Sequence, residues 1–287
     1  MIVDILIIFI ALLALVFASL FDIKTREVPD WLNFSLIVSI LGLRLIHSLT
    51  TSAWYYFLYG LLGFAIMFVA GNVLYYSKQM GGGDAKLLMG LGAVFATTPF
   101  FLEPTLPYLL IFVINLFVVG SVYGLVWSVV LFVKNRKKSV AEFKRKVVQT
   151  KNQQGIILGL ALFLILAYII TDDAFLKTIY LLTFVFMIAY MYVFTFVKVV
   201  EKVNMFKWVQ PNKLTEGDWI GQEVKINNRL ICGPQDPGID QKQINLLIKY
   251  KVKKVLLKEG MPFAPAIFLT GLVTIIFGNI LLFLTML

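Results

Sequence analysis

Two aspartates stand where charged loops meet long apolar stretches. Asp84 follows three consecutive glycines and opens an apolar run, and Asp22 directly follows the apolar run that begins at residue 2. A carboxylate in a membrane-spanning helix costs about 2.5–3.5 kcal/mol at the helix centre and less near an end. An acid kept at such a boundary is therefore a candidate functional residue.

Two carboxyl groups that share one site can divide acid–base work between them. One carboxylate takes a proton from water while the other, protonated, donates to a carbonyl oxygen, as in aspartic proteases. Asp84 begins a helix, where the free N–H groups favour its ionised form, whereas Asp22 ends one, where the dipole disfavours it. The shared proton belongs to the pair, with Asp22 as its nominal carrier.

Each motif residue also has a simpler interpretation. Asp84 alone is equally well explained as a helix N-cap after a glycine turn, and Asp22 alone as part of a charged juxtamembrane loop. The glycines would supply unusual backbone angles and leave room for an extended substrate strand. Lys86 is either a snorkelling side chain or a group that tunes the charge of its neighbour.

Composition places the chain among polytopic membrane proteins. Of its 287 residues 60% are apolar and 15% are charged, and the mean hydropathy is +0.86. One cysteine and one histidine exclude an internal disulfide framework, a multi-cysteine zinc site and a histidine cluster. We expect neither a metal nor a cofactor, so any chemistry would rest on carboxyl groups.

The apolar stretches predict an all-α polytopic membrane protein with about eight transmembrane helices. The first begins without a basic flank or a small-residue cleavage site, so we interpret it as a retained helix. The predicted spans are 2–21, 32–49, 54–76, 85–102, 108–133, 155–171, 175–197 and 262–286.

The basic residues predict the orientation of these spans. All Lys and Arg except Arg44 and Lys177 fall in alternate loops, which the positive-inside rule assigns to the cytoplasm. Both aspartates then lie at the cytoplasmic face. The net charge of +10 reflects this topology and attraction to anionic lipid headgroups, rather than nucleic-acid binding.

Five regions follow along the chain: a membrane core at 1–133, a basic cytoplasmic linker at 134–154, two further spans at 155–197, a cytoplasmic insert at 198–261 and a last span at 262–287. A surface helix is expected at 140–148. The insert reads as a small α+β module, with short strands near 214–220, 229–232 and 252–257 and a helix from 241 to 250 capped by Asp240.

Three segments together carry a resemblance to a known family. Residues 81–87 read GGGDAKL, residues 22–33 read DIKTREVPDWLN and residues 261–266 read MPFAPA. They resemble, in order, the GGGDxKL signature, the first-aspartate segment and the Pro-Phe-x-Pro stretch of type IV prepilin peptidases, the GxGD membrane aspartyl proteases. The matching segments anchor the first four spans and the last one.

The resemblance implies cleavage of short basic type III leader peptides from prepilins or preflagellins at the cytoplasmic membrane edge. It implies Asp22 and Asp84 as the catalytic pair. The motif residues expected to support them or position the substrate are Gly81, Gly82, Gly83, Lys86, Pro262, Phe263 and Pro265. Bacterial members commonly add a four-cysteine zinc region and N-methylate their product with S-adenosylmethionine. With one cysteine, this chain is expected to cleave without methylating, like the archaeal preflagellin and prepilin peptidases.

Two other functions fit parts of the pattern. A presenilin-type protease shares the GxGD chemistry, although here the first acid follows Phe21 and the proline segment differs. An ion-coupled transporter could use Asp84 as a cation site beside a broken helix, although the acids lie at one face of the membrane. The substrate subtype and the oligomeric state stay open.

Overall fold

Apolar helices make up most of the chain in the computed structural model, which describes residues 2–99, 101–102, 106–226 and 229–285. The polypeptide divides into two compact units, residues 1–124 with 208–287, and residues 125–207. The helices are α1 (Ile2–Thr25), α2 (Asp30–Thr51), α3 (Trp54–Tyr76), α4 (Gly82–Val94), α5 (Tyr108–Lys134), α6 (Arg136–Gln149), α7 (Lys151–Ile170), α8 (Ala174–Asn204), α9 (Gln241–Lys249), α10 (Ala264–Phe277) and α11 (Ile280–Thr285).

Five of these helices, α1, α2, α3, α5 and α8, are long and apolar enough to cross a membrane, and a sixth span results if the bent pair α6 and 154–170 is counted as one. The spans expected at 85–102 and 262–286 correspond to shorter helices. The structure thus supports a multi-pass, mostly helical protein with five or six candidate spans among the described residues, and the count of eight stays a prediction.

Residues in the left-handed backbone region end two of the helices beside the predicted site. Arg26, with φ 64°, follows α1, and its N–H donates to the carbonyl of Asp22 (2.9 Å). Lys78, with φ 58°, follows α3, and the next N–H, of Gln79, returns to the Leu74 carbonyl (3.0 Å). Both are standard ways to satisfy the last carbonyls of a helix, and each turns the chain into one of the predicted catalytic segments.

Glycine contacts bring α4 against its neighbours. A Cβ on Gly63 of α3 or on Gly92 of α4 would overlap the carbonyl oxygen of the other residue, so the two backbones touch. A Cβ on Gly90 would approach Leu36 of α2 to 2.9 Å. Gly90 and Gly92 therefore allow close helix packing.

A buried arginine marks the end of α4. Arg44 of α2 is 1% exposed, and its guanidinium donates to the carbonyls of Tyr56 (3.0 Å) and Val94 (3.2 Å) and to the Thr97 hydroxyl (3.0 Å). The helix expected to reach residue 102 therefore ends at Val94. Its free carbonyl is satisfied by a side chain instead of by a further turn.

The last apolar stretch is broken by a glycine and held by an asparagine. Gly278, with φ 62°, separates α10 from α11, and its carbonyl accepts from the Asn115 Nδ2 (2.7 Å). Asn115 also accepts from the Ile280 N–H (3.1 Å) and donates to the Thr274 hydroxyl (2.9 Å). One buried side chain of α5 thus replaces the hydrogen bonds that a continuous helix over 262–286 would have made.

The insert before α10 has the expected mixture of strands and one helix. Its strands are β1 (Phe206–Val209), β2 (Trp219–Ile220), β3 (Val224–Ile226), β4 (Arg229–Cys232) and β5 (Val255–Lys258), arranged as a sheet of order β1-β5-β2 and an antiparallel β3-β4 pair. Asp240 caps α9 through a reciprocal bond with Gln243, as predicted. Strands β1 and β3 were not expected, because each is short and contains a lysine.

The second unit contains the basic linker helix. The surface helix expected at 140–148 is α6, which is longer at its N-terminal end and packs on α8. Glu142 of α6 accepts from Arg145 (2.8 Å) and pairs with Lys202 of α8 (2.9 Å). These two partners lower the pKa of Glu142, because they stabilise its ionised form.

The α3–α4 contact predicts a selective effect of added methyl groups. Gly92→Ala should destabilise the protein by about 1–3 kcal/mol, because the backbones must separate to admit the Cβ. Thermal unfolding of the purified protein in detergent measures the change. Gly42→Ala is the matched control, since nothing lies within 4 Å of its Cβ position. Equal midpoints for the two variants would contradict the contact.

Candidate active site

Asp22 is a buried acid whose carboxyl group lies at the start of another helix. It is 4% exposed, and its Oδ2 accepts from the backbone N–H of Ala264 at 2.8 Å. Ala264 is the first residue of α10, where N–H groups have no partner within the helix and the dipole is positive. The unfavourable end of α1 is therefore offset by the favourable end of α10, a contribution that the sequence argument lacked.

Asp84 lies in the first turn of α4 and does not cap it. The helix begins at Gly82 with Gly81 as its N-cap residue, and no side-chain bond caps it. Oδ1 of Asp84 is buried and has no hydrogen-bond partner among the described residues. The simple N-cap interpretation of Asp84 is therefore wrong, because its carboxyl group makes no bond to a backbone N–H of its own helix.

The helices that carry the two acids pack together. Asp22 of α1 lies within electrostatic range of Asp84 of α4, and α1 packs against both α4 and α10. Two carboxylates that share a site partly removed from water repel, which favours one proton held between them. Asp22, which carries the hydrogen bond from α10, is the better placed of the two to hold the negative charge.

The glycines before Asp84 serve packing rather than unusual backbone angles. Gly81 has φ −69°, and among the described glycines only Gly217 and Gly278 have positive φ. A Cβ on Gly83 would lie 2.9 Å from the carbonyl oxygen of Val28. The expected role in backbone conformation is therefore wrong. Close approach to the segment after Asp22 explains why a glycine stands at position 83.

Lys86 pairs with an acid outside the two-aspartate site. Its Nζ lies 2.6 Å from Oδ1 of Asp30, the first residue of α2, and 5.8 Å from the centre of the Phe34 ring. The ion pair joins α2 to α4 at the exposed end of the bundle. The ammonium group of Lys86 is therefore paired with Asp30. The alternative is that Lys86 tunes the charge of Asp84.

The proline segment supplies the partner of Asp22. Pro262 is buried and Phe263 and Pro265 are half-buried. Pro265 stands in the first turn of α10, where its missing N–H costs nothing, and Phe263 packs near Gly120 of α5. Between the two prolines, the Ala264 N–H is a donor that reaches Asp22.

The insert contacts both segments that carry the candidate aspartates. Thr215 Oγ1 donates to Glu27 Oε1 at 2.5 Å, and Oε1 of Glu259 lies 3.9 Å from Nε of Arg26. Glu27 and Arg26 belong to the segment that follows Asp22. Lys78, ahead of the glycines, donates to the Pro234 carbonyl at 2.7 Å. The segments that carry the two acids are therefore connected through the insert as well as through the helices.

Sequence reasoning missed Ala264, Val28 and Asn33. Asn33 is fully buried, and its Nδ2 donates to the Gly83 carbonyl at 3.1 Å. Ala264 and Val28 act through backbone atoms, which leave no signal in residue type. Asn33 had one available signal, an amide between apolar neighbours in the first turn of a predicted span.

The cysteine is an unsuitable nucleophile. Cys232 lies in the core of the insert, and burial raises the pKa of its thiol to about 11. The reactive thiolate is therefore scarce at neutral pH.

Comparison with known proteins identifies related peptidases. Residues 8–128 match the type IV leader peptidase family. The preflagellin peptidase of Methanococcus voltae is 30% identical over 168 residues, 52% of this chain and 72% of that protein. That of Methanococcus maripaludis is 30% identical over 171 residues, 52% and 73% respectively. The prepilin peptidase EppA of Methanothermobacter thermautotrophicus is 28% identical over 183 residues, 60% of this chain and 48% of that protein. No solved structure matches.

The helices and the family match define a multi-pass membrane protease. More particularly, the chain belongs to the type IV leader peptidase family. The resemblance drawn from the three sequence segments is confirmed.

The Lys86–Asp30 ion pair predicts a small effect of neutralising the lysine. An exposed pair contributes about 0–1 kcal/mol, so Lys86→Gln should lower the rate of leader cleavage by less than about fivefold. The measurement is the cleavage rate of purified protein on a precursor substrate, with Lys177→Gln, in the first turn of α8, as control. A drop of several hundredfold would instead assign Lys86 to the chemistry of Asp84.

Proposed function

We propose that the chain is an aspartic endopeptidase that removes short basic leader peptides from prepilin or preflagellin precursors. The observation that carries the proposal is that Asp22 and Asp84, on the packed helices α1 and α4, lie within electrostatic range of each other. Membership of a leader peptidase family favours this function over a presenilin-type protease and over an ion-coupled transporter.

The hydrogen bond to Asp22 suggests how the pair divides the work. Asp22, with its Oδ2 held by the Ala264 N–H, acts as the carboxylate that takes a proton from the attacking water. Asp84, with Oδ1 free of partners among the described residues, holds the shared proton and donates it to the carbonyl oxygen of the scissile peptide. This order reverses the nominal assignment of the proton to Asp22.

The finer features of the activity follow from the chain's charge and cysteine content. The alternation of basic loops supports cleavage at the cytoplasmic face of the membrane, and a single cysteine supports cleavage without N-methylation. We retain eight spans as the topology, with α4, α7 and the α10–α11 pair crossing beside the long helices. We also retain the regions 1–133, 134–154, 155–197, 198–261 and 262–287.

The insert is proposed to brace the site from the cytoplasmic side. Its bonds reach Glu27 and Lys78, one on each catalytic segment. An incoming precursor would meet the insert and both segments together, so the insert is well placed to help hold the leader.

Both aspartates should be required for cleavage. Asp22→Asn and Asp84→Asn should each lower kcat/KM by at least about 100-fold, because an amide supplies neither the base nor the acid. The assay is cleavage of a purified precursor by each purified variant in detergent. Asp172→Asn, an exposed acid before α8, is the matched control and should keep the wild-type rate. Wild-type cleavage by either site variant would exclude the pair.

The products should carry an unmodified new N-terminus. Incubation of the wild-type protein with a precursor and S-adenosylmethionine, followed by mass spectrometry of the product, should give the mass of the free amine. The same spectrum locates the cleaved bond relative to the basic leader and the apolar helix. A product heavier by one methyl group would overturn the proposal of cleavage without methylation.

A further inference from the structure

Asn33 is a polar side chain in a place that packing alone would fill with an apolar one. It lies in the first turn of α2, is fully buried, and has apolar neighbours Leu32 and Phe34 along the chain. Its Nδ2 reaches across to α4 and donates to the carbonyl oxygen of Gly83 at 3.1 Å. Gly83 directly precedes Asp84, so the bond acts next to a proposed catalytic residue.

Gly83 is held from a second direction by the segment that follows Asp22. A Cβ there would lie 2.9 Å from the Val28 carbonyl oxygen and 3.1 Å from the Val28 nitrogen. Val28 is itself buried. The residue before Asp84 is therefore fixed by backbone contact on one side and by the Asn33 amide on the other.

Only one of the two polar atoms of the Asn33 amide has a hydrogen-bond partner among the described residues. Oδ1 of Asn33 is buried and has no hydrogen-bond partner among the described residues, a state that is rare and unfavourable in protein interiors. A leucine, whose side chain branches at the same carbon, would avoid that cost. Stability of the core therefore does not explain the asparagine, and the donor group that reaches Gly83 does.

We propose that Asn33 is a positioning residue for Asp84. Its Nδ2 holds the Gly83 carbonyl and thereby sets the first turn of α4 against the segment that carries Asp22. The proposal rests on the proposed function for its catalytic consequence, while the positional claim concerns the fold alone. Asn33 does not touch the reacting atoms, so its effect should fall on kcat rather than on KM.

Two variants separate the donor from the shape. Asn33→Leu removes the donor and the unpaired acceptor together, so it should unfold at or above the wild-type temperature while kcat falls at least about tenfold with KM nearly unchanged. Asn33→Asp should be defective at neutral pH, where a carboxylate faces a carbonyl, and should recover as the pH falls and the protonated carboxyl donates to Gly83. The readout is the ratio of variant to wild-type kcat at each pH.

Asn72→Asp is the matched control for the pH series. Asn72 donates to the Phe68 carbonyl of its own helix at 2.8 Å, so its ratio to wild type should stay constant with pH. A constant ratio for Asn33→Asp, or full kcat in Asn33→Leu, would overturn the positioning role.

Hydrogen exchange tests the positional claim without catalysis. Amides of residues 82–87 should exchange faster in Asn33→Leu than in the wild-type protein, while amides in the middle of α3 should not change. If Asn33→Leu exchanges faster but the wild-type protein does not cleave precursors, the proposed function is rejected and the positioning role stands. Unchanged exchange would reject the positioning role even if the wild type cleaves.

Discussion

The bond between the Ala264 N–H and the Asp22 carboxylate joins the first long helix to the last apolar segment, and the site depends on it. Asp22 lies in the last turn of α1, where the free carbonyls of the helix disfavour a negative charge, and it is almost fully buried. The start of α10 supplies a hydrogen bond at 2.8 Å and a positive helix end. Pro265 suits the first turn of α10, because its missing N–H would have no partner there. A buried carboxylate thus becomes tolerable on α1, which also packs against the helix that carries Asp84.

Small residues determine where Asp84 lies. Contacts through Gly63, Gly90 and Gly92 press α4 between α2 and α3, and the Arg44 guanidinium closes its far end. At the near end Gly83 touches Val28. A short helix with a glycine-rich surface can approach its neighbours more closely than a helix of larger residues. The position of Asp84 beside the segment after Asp22 is therefore set by backbone packing and not by hydrogen bonds of Asp84 itself.

The two aspartates stood out as candidates because a charge at the edge of an apolar stretch is costly, and the sequence alone displays that pattern. The boundaries of α1, α2, α3 and α5 and the capped helix α9 were predictable for related reasons, since long apolar runs and a capping residue act locally. The Ala264 donor was not predictable, because every non-proline residue has a backbone N–H. The unusual backbone angles expected of the glycines before Asp84 were wrong, since sequence does not separate a need for positive φ from a need for close approach. The early end of α4 depends on Arg44, a residue far away along the chain.

The pairing of Asp22 with Asp84 is tested most directly by the pH dependence of kcat/KM for a purified precursor. One proton shared by two carboxyl groups predicts a bell-shaped profile, because cleavage needs one group ionised and the other protonated. The decrease in kcat/KM at both the acidic and the basic side of the profile should persist in Lys86→Gln and in a variant that lacks His47. A profile that rises to a plateau and stays there, or one that is flat through the acidic range, would contradict the paired acid and base.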